Sequence, residues 1–219
     1  ILNKARGDQP LAARDDLTLL LLEASPGVSR FDHRTNFADE DMPSISGDPS
    51  VSRISQAKAE GLTVLVLEGR MTWEYSQTFF DAVFGSLDRG FGVIVDLSRC
   101  IHMDSAVLGT LHELVESAEK TVAGSKVKIQ DASHSLVRTF AELGLNSVLR
   151  SLQMQSIAIP KTRTVVRVSE GNLRGQQMRL LKAHEVLASL NDTNRDQFAL
   201  VVDDLREHFT YSSGMTSPR

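Results

Sequence analysis

Asp104-Ser105 puts a carboxylate directly before a hydroxyl, at the point where an apolar run gives way to a helical pattern. Upstream, Phe91-Gly92-Val93-Ile94-Val95-Asp96-Leu97 has the length and β-branching of a buried strand. Downstream, Val107, Leu108, Leu111, Leu114, Val115 and Ala118 recur at helical spacing. Asp104 is therefore a candidate N-cap, and Ser105 falls in the first turn, where backbone N–H groups lack helical partners. The expected chemistry is phosphoryl acceptance: an exposed hydroxyl whose phosphate would meet those donors and the positive end of the helix dipole. The plainer reading is that Asp104-Ser105 only caps the helix.

Other chemistry-bearing residues point to less. His112 and Glu116 are four apart on the same helix, a spacing that can hold zinc, but they fall off the apolar stripe and no third ligand is evident. His102 and Asp104 could exchange protons, yet no nucleophile or oxyanion hole accompanies them. Cys100, the only cysteine, cannot form an internal disulfide and suits a reducing cytoplasm, which is the expected location; packing is its simplest role.

The elements that must position Ser105 alternate in type. Val51 to Gln56 and Thr63 to Gly69 read as strands joined by a Glu60-Gly61 turn, the second ending at its glycine. Thr72 is expected to cap a helix with Phe79, Phe80, Val83, Phe84 and Leu87 in one stripe. After the Ser105 helix come a strand at Lys126 to Ile129, a short helix capped by Ser133 and ended by Gly144, and a last strand at Gln153 to Ile159. The fold class is α/β, a mixed sheet with helices packed on it.

Strand, loop, Asp-Ser-x-x-Leu-Gly, helix and strand, followed by Phe140-Ala141-Glu142-Leu143-Gly144-Leu145, resembles the STAS domain of anti-sigma factor antagonists. The likeness runs over roughly residues 50 to 160. It implies a STAS-like fold and a phosphorylation site at Ser105. It also implies a partner surface of Asp104, Ser105, Ala106, Val107 and Leu108, and an anti-sigma factor or related serine kinase as partner. On that pattern the unmodified form docks and phosphate breaks the contact. The commonest motif is Asp-Ser-Ser-Gly-Leu-Gly; here Ala106 replaces the second serine and Val107 the first glycine.

The flanks differ in character. Asp15-Asp16-Leu17-Thr18 followed by four leucines reads as a turn and buried strand. It resembles the last strand of the protein phosphatase 2C-like fold of the sporulation and stress-response type. That resemblance implies a metal-binding role for Asp15 in a parent protein holding Mg or Mn. One carboxylate cannot hold two ions, so this chain, which begins at Ile1, reads as a non-enzymatic fragment needing no cofactor. The alternative is an N-terminal edge strand. The expected domains are a phosphatase-like remnant over 1–24, a Pro- and Gly-containing linker over 25–50, a STAS-like domain over 51–160 and an antiparallel helical hairpin over 161–219.

In the hairpin, Leu173, Leu180 and Leu187 recur every seven residues, with Gln177, His184 and Asn191 as a polar second row. Asn191 to Asn194 forms a turn, after which Phe198, Val201, Val202, Leu205 and Phe209 make a stripe. The hairpin either extends the core or drives a homodimer; a buried His184 would be a hydrogen-bonded core histidine. A formal charge of -4 supplies no basic stripe for nucleic acid, and no apolar run approaches the length of a membrane span.

Overall fold

The structure is a computed structural model that describes residues 51–59, 61–120, 126–168 and 173–213. The leucine run, Asp15 and the 25–50 linker lie outside the described residues. Five strands, β1 (Arg53–Ala59), β2 (Leu62–Met71), β3 (Gly92–Met103), β4 (Val127–Gln130) and β5 (Thr164–Val165), form one sheet in the order β4-β3-β2-β1-β5. β2, β3 and β4 are parallel, while β1 is antiparallel to both β2 and β5. The α/β class and mixed sheet expected from the sequence are therefore present.

Two helices make the crossovers between the parallel strands, α1 (Trp73–Asp88) and α2 (Ser105–Lys120). Both crossovers step the same way across the sheet, so the right-handed rule places both helices on one face. Leu65, Leu67, Val95, Leu97 and Ile129 alternate along their strands and are fully or almost fully buried. The short helices α3 (His134–Glu142) and α4 (Asn146–Arg150) follow β4. Ser133 caps α3 as expected, accepting from the Leu136 N–H at 3.3 Å.

Several expectations are corrected. β2 does not stop at Gly69 but passes through it to Met71, with register shifts on both sides of the glycine. Gly69 has φ +79°, and a Cβ there would lie 2.8 Å from the Val51 carbonyl, so the residue acts as a bulge inside the strand. Residues 153 to 159 are not a strand. The Gln130 side chain holds both the N–H and the C=O of Ile157 at 3.1 Å, and the last strand forms only at Thr164–Val165, beside β1. The chain thus makes one parallel bridge beside β4, Leu152 with Ile129, and then passes to the opposite edge, so the sheet extends beyond residue 160. Phe84 is outside the α1 core, half exposed and stacked on Phe80.

The polar side of the strands carries one buried charge cluster. Glu68 on β2 pairs with Arg53 on β1 and with Arg99 on β3, the latter at 2.7 Å. Burial raises the Glu68 carboxyl, and the two guanidiniums outweigh it and hold the group below the ordinary carboxylate range. Cys100 is buried and its thiol is pushed up to about 12, mainly by burial, so it stays protonated.

The hairpin helices α5 (Leu173–Ala188) and α6 (Asp192–Ser213) belong to the same compact unit as the sheet, Pro49–Arg219. α5 lies on α2 and α1 as a third layer. Of the heptad seam, Leu180 and Leu187 are buried but Leu173 is exposed; Phe198, Val202 and Leu205 are buried from α6, and the Phe209 side chain lies outside the described residues.

His112 is not the solvent-facing residue its place off the apolar stripe suggests. It is buried against α4, with Nδ1 2.9 Å from Ser147 Oγ. Among the described residues no cluster of three His, Cys, Asp or Glu could hold a metal, and no helix is long and apolar enough to cross a membrane. Burial lowers the His112 pKa below 6.5, against a raising influence from Glu116. A depressed folded-state pKa means the unfolded chain binds the proton first. His112 should therefore cost stability progressively as the pH falls through about 6.5. The urea midpoint should drop between about pH 7 and about pH 5. His112→Gln should flatten that part of the profile; an unchanged slope would remove His112 as the cause.

Candidate functional site

Asp104 stands between two helix starts. Its Oδ1 accepts from the Val107 N–H at 3.0 Å, and its Oδ2 accepts from the Trp73 N–H at 2.5 Å. The first bond caps α2, as expected. The second caps α1, a task assigned to Thr72 on local sequence, but the Thr72 side chain makes no capping bond. One carboxylate thus neutralises the positive ends of two helices. The β2 end is tied in as well, because the Asp104 N–H donates to the Met71 carbonyl at 3.0 Å.

Ser105 is where the sequence places it, in the first turn of α2, but its hydroxyl is not exposed. The residue is 1% accessible, and Asp104, Ala106, Val107 and Leu108 are buried with it. The expected solvent-facing partner surface is therefore covered. The cause is the third layer: α2 is buried all round through its first two turns, from Ser105 to His112, with the sheet on one side and α5 on the other.

The cover makes specific contacts. Ser105 Oγ lies 2.9 Å from His184 Nε2 on α5. The other ring nitrogen, Nδ1, is 2.8 Å from the Leu180 carbonyl, which can only accept. In the neutral ring the proton therefore sits on Nδ1, and Ser105 donates to Nε2. One turn along α2, a Cβ on Gly109 would sit 2.3 Å from the Ala183 carbonyl oxygen, so the two backbones touch there. One turn further, Glu113 pairs with Arg179, whose guanidinium lies 4.4 Å from the Phe80 ring centroid on α1. Positions 105, 109 and 113 meet 184, 183 and 179, so α5 runs antiparallel to α2. The far end is pinned by Asn194, which donates to the carbonyls of Leu143 at 2.9 Å and Leu187 at 3.1 Å.

One of the donors expected to receive a phosphate is also already used. The Asp104 carboxylate already occupies the first-turn N–H of Val107, and the Ser105 hydroxyl faces an imidazole rather than water. His184, Gly109, Arg179 and Glu113 were not singled out with the site by sequence reasoning. The polar second row at His184 was the available signal, and it marked a core histidine without identifying its partner 79 residues away.

Residues 54–153 match the family described as Mlab, STAS domain. Among solved structures, the chain is similar to the phosphorylated form of SpoIIAA, a Bacillus cell fate determinant. The identity is 14% and the TM-score 0.39, over 48% of this chain and 92% of that one. No curated protein matches the chain.

Asp104→Ala leaves two N–H groups at helix starts without their acceptor. Each lost cap costs ~1 kcal/mol, and burial raises the penalty. The expected loss is about 2 to 3 kcal/mol in urea unfolding of the whole chain. Asp104→Asn keeps an acceptor oxygen and should lose less than half as much. A loss below ~0.5 kcal/mol for the alanine variant would show that the double cap does not matter.

Proposed function

We propose that residues 51–160 act as a phosphorylation-controlled protein-binding module of the anti-sigma factor antagonist type, in a bacterial partner-switching pathway. Ser105 is the acceptor, an anti-sigma factor or related serine kinase is the partner, and the module performs no chemistry of its own. The observation that carries the reading is Ser105 in the first turn of α2, directly after a doubly used capping aspartate, inside the stretch that matches the STAS family.

The energetics support control by one group. Phosphorylation adds about 1.5 to 2 negative charges. Burying such an ion without a matched cation costs several kcal/mol. Weakening a complex from about nanomolar to about micromolar needs only about 4 kcal/mol. A contact made by the Ser105 hydroxyl is therefore one that a phosphate can break without any change of fold. Within this chain the hydroxyl makes that contact with α5.

A homodimer through the hairpin would have to use outward residues such as Met178 and Leu200, because the Leu180 and Leu187 seam is buried within the chain. The fusion reading, in which a metal-dependent phosphatase precedes this unit and acts on or is regulated by it, is motivated by the Asp15-Asp16-Leu17-Thr18 segment. Sequencing upstream of Ile1 tests it, and the absence of further metal-ligand aspartates would end it.

The test of the main reading is mass spectrometry of the protein from its native cells. A fraction should carry ~80 Da, one phosphate, on the peptide containing Ser105, and a Ser105→Ala strain should lack it. If the peptide is unmodified in growing, starved and stressed cells alike, the phosphorylation switch is wrong.

A further inference from the structure

We infer that a phosphate on Ser105 and the docked α5–α6 hairpin exclude each other, so that modification uncovers the α1–α2 face instead of blocking it. This rests on the reading of Ser105 as the phosphorylated residue, and it reverses the polarity that the family resemblance implies.

Space is the first argument. The Ser105 residue is 1% accessible, and its oxygen is already at hydrogen-bond distance, 2.9 Å, from His184. A phosphoryl group has no volume to enter unless α5 moves. α5 cannot settle closer elsewhere on the same face, because its backbone at Ala183 already rests on the bare Cα of Gly109. The helix must lift.

Charge is the second. The neighbouring Asp104 carboxylate holds the N–H groups of Trp73 and Val107, so a phosphate arriving beside it meets a like charge. The buried cation on α5, Arg179, is committed to Glu113 and lies against Phe80. Drawing it to a phosphate would strand the Glu113 carboxylate. The hydroxyl's own partner is an imidazole nitrogen at 2.9 Å, which can meet an anion only by taking up a proton.

The transfer itself needs a nucleoside triphosphate and a protein kinase. The Ser105 Oγ–P bond forms as the bond from the γ-phosphorus to the bridging oxygen breaks. The hydroxyl proton passes to solvent or a base of the kinase, and the nucleoside diphosphate leaves. Because docking and modification are mutually exclusive, the linkage is reciprocal in free energy: docking opposes phosphate on Ser105 by the same amount that phosphate weakens docking, and a kinase acts only on the undocked fraction. The face released carries Gly109, Glu113 and Phe80. It fits a partner helix with a small residue over Gly109 and a basic residue one turn earlier over Glu113 and Phe80, the pattern Arg179 and Ala183 now supply.

Hydrogen exchange on the full chain, with phosphoserine installed at position 105 during synthesis, tests this without a kinase. Amides of α5 and of the start of α6 should lose about a hundredfold in protection, while β2 and β3 keep theirs. Equal α5 protection in both forms overturns the inference, and so does equal loss in the sheet, since modification would then unfold the domain rather than free the hairpin. Gly109→Ala adds no charge and should produce the same hairpin-restricted loss, although alanine favours a helix over glycine by about 1 kcal/mol. Protection of α5 unchanged by that variant would show that the backbone contact does not hold the hairpin. The two readings fail separately: native cells without phosphate at Ser105 remove the switch, whereas an undisturbed α5 in the phosphoserine protein removes only this inference.

Discussion

The close approach of α5 to α2 at Gly109 is the constraint from which the arrangement of the site follows. Two helices whose backbones touch cannot be separated by side chains at that level, so the residues of α2 on the same face one turn to either side, Ser105 and Glu113, meet α5. Ser105 on one side meets His184, and Glu113 on the other meets Arg179. A glycine in a helix interior costs about 1 kcal/mol in helix propensity, and the packing and paired polar groups that it admits offset that cost. The geometry is demanding in both directions. A cover that fits this closely also has little capacity to tolerate an added group.

Beneath that contact, Asp104 solves a problem that the α/β topology creates. Right-handed crossovers bring the N-termini of α1 and α2 together where β2 and β3 end, so two sets of unpaired N–H groups and two positive dipole ends converge. A single buried carboxylate answers both. This also explains why the neighbouring hydroxyl is not simply an anion site: the fold's own anion already occupies it. The Ser105 hydroxyl is consequently adjacent to negative charge. That polarity, more than the serine's position in a motif, sets what a modification there would do.

The layer that covers the site lies outside the 54–153 match, yet it is part of the same compact unit. Its anchors are spread over three contacts, at Arg179, at Ala183 with His184, and at Asn194, so the hairpin is placed by recognition and not by apolar burial alone. The outward side differs: Phe84, Met178 and Leu200 leave apolar surface open.

Much of this was legible in the chain order of residue types. Period-two and period-3.6 patterns located β1 to β4, α1 to α3 and the hairpin, and Asp104 and Ser133 could be assigned as caps because a cap is satisfied within three or four residues of itself. Where a partner comes from far along the chain, local reading went astray. Thr72 yielded its cap to Asp104, 32 positions later in sequence; Gly69 continued a strand it was expected to end; β5 formed past Pro160 because its partner is β1. Ser105 is the sharpest case. Its place at a helix start is a property of the residues beside it. Whether it faces water depends on a histidine 79 residues away and on a glycine that lets the second helix come near, and only the tertiary structure brings those three together.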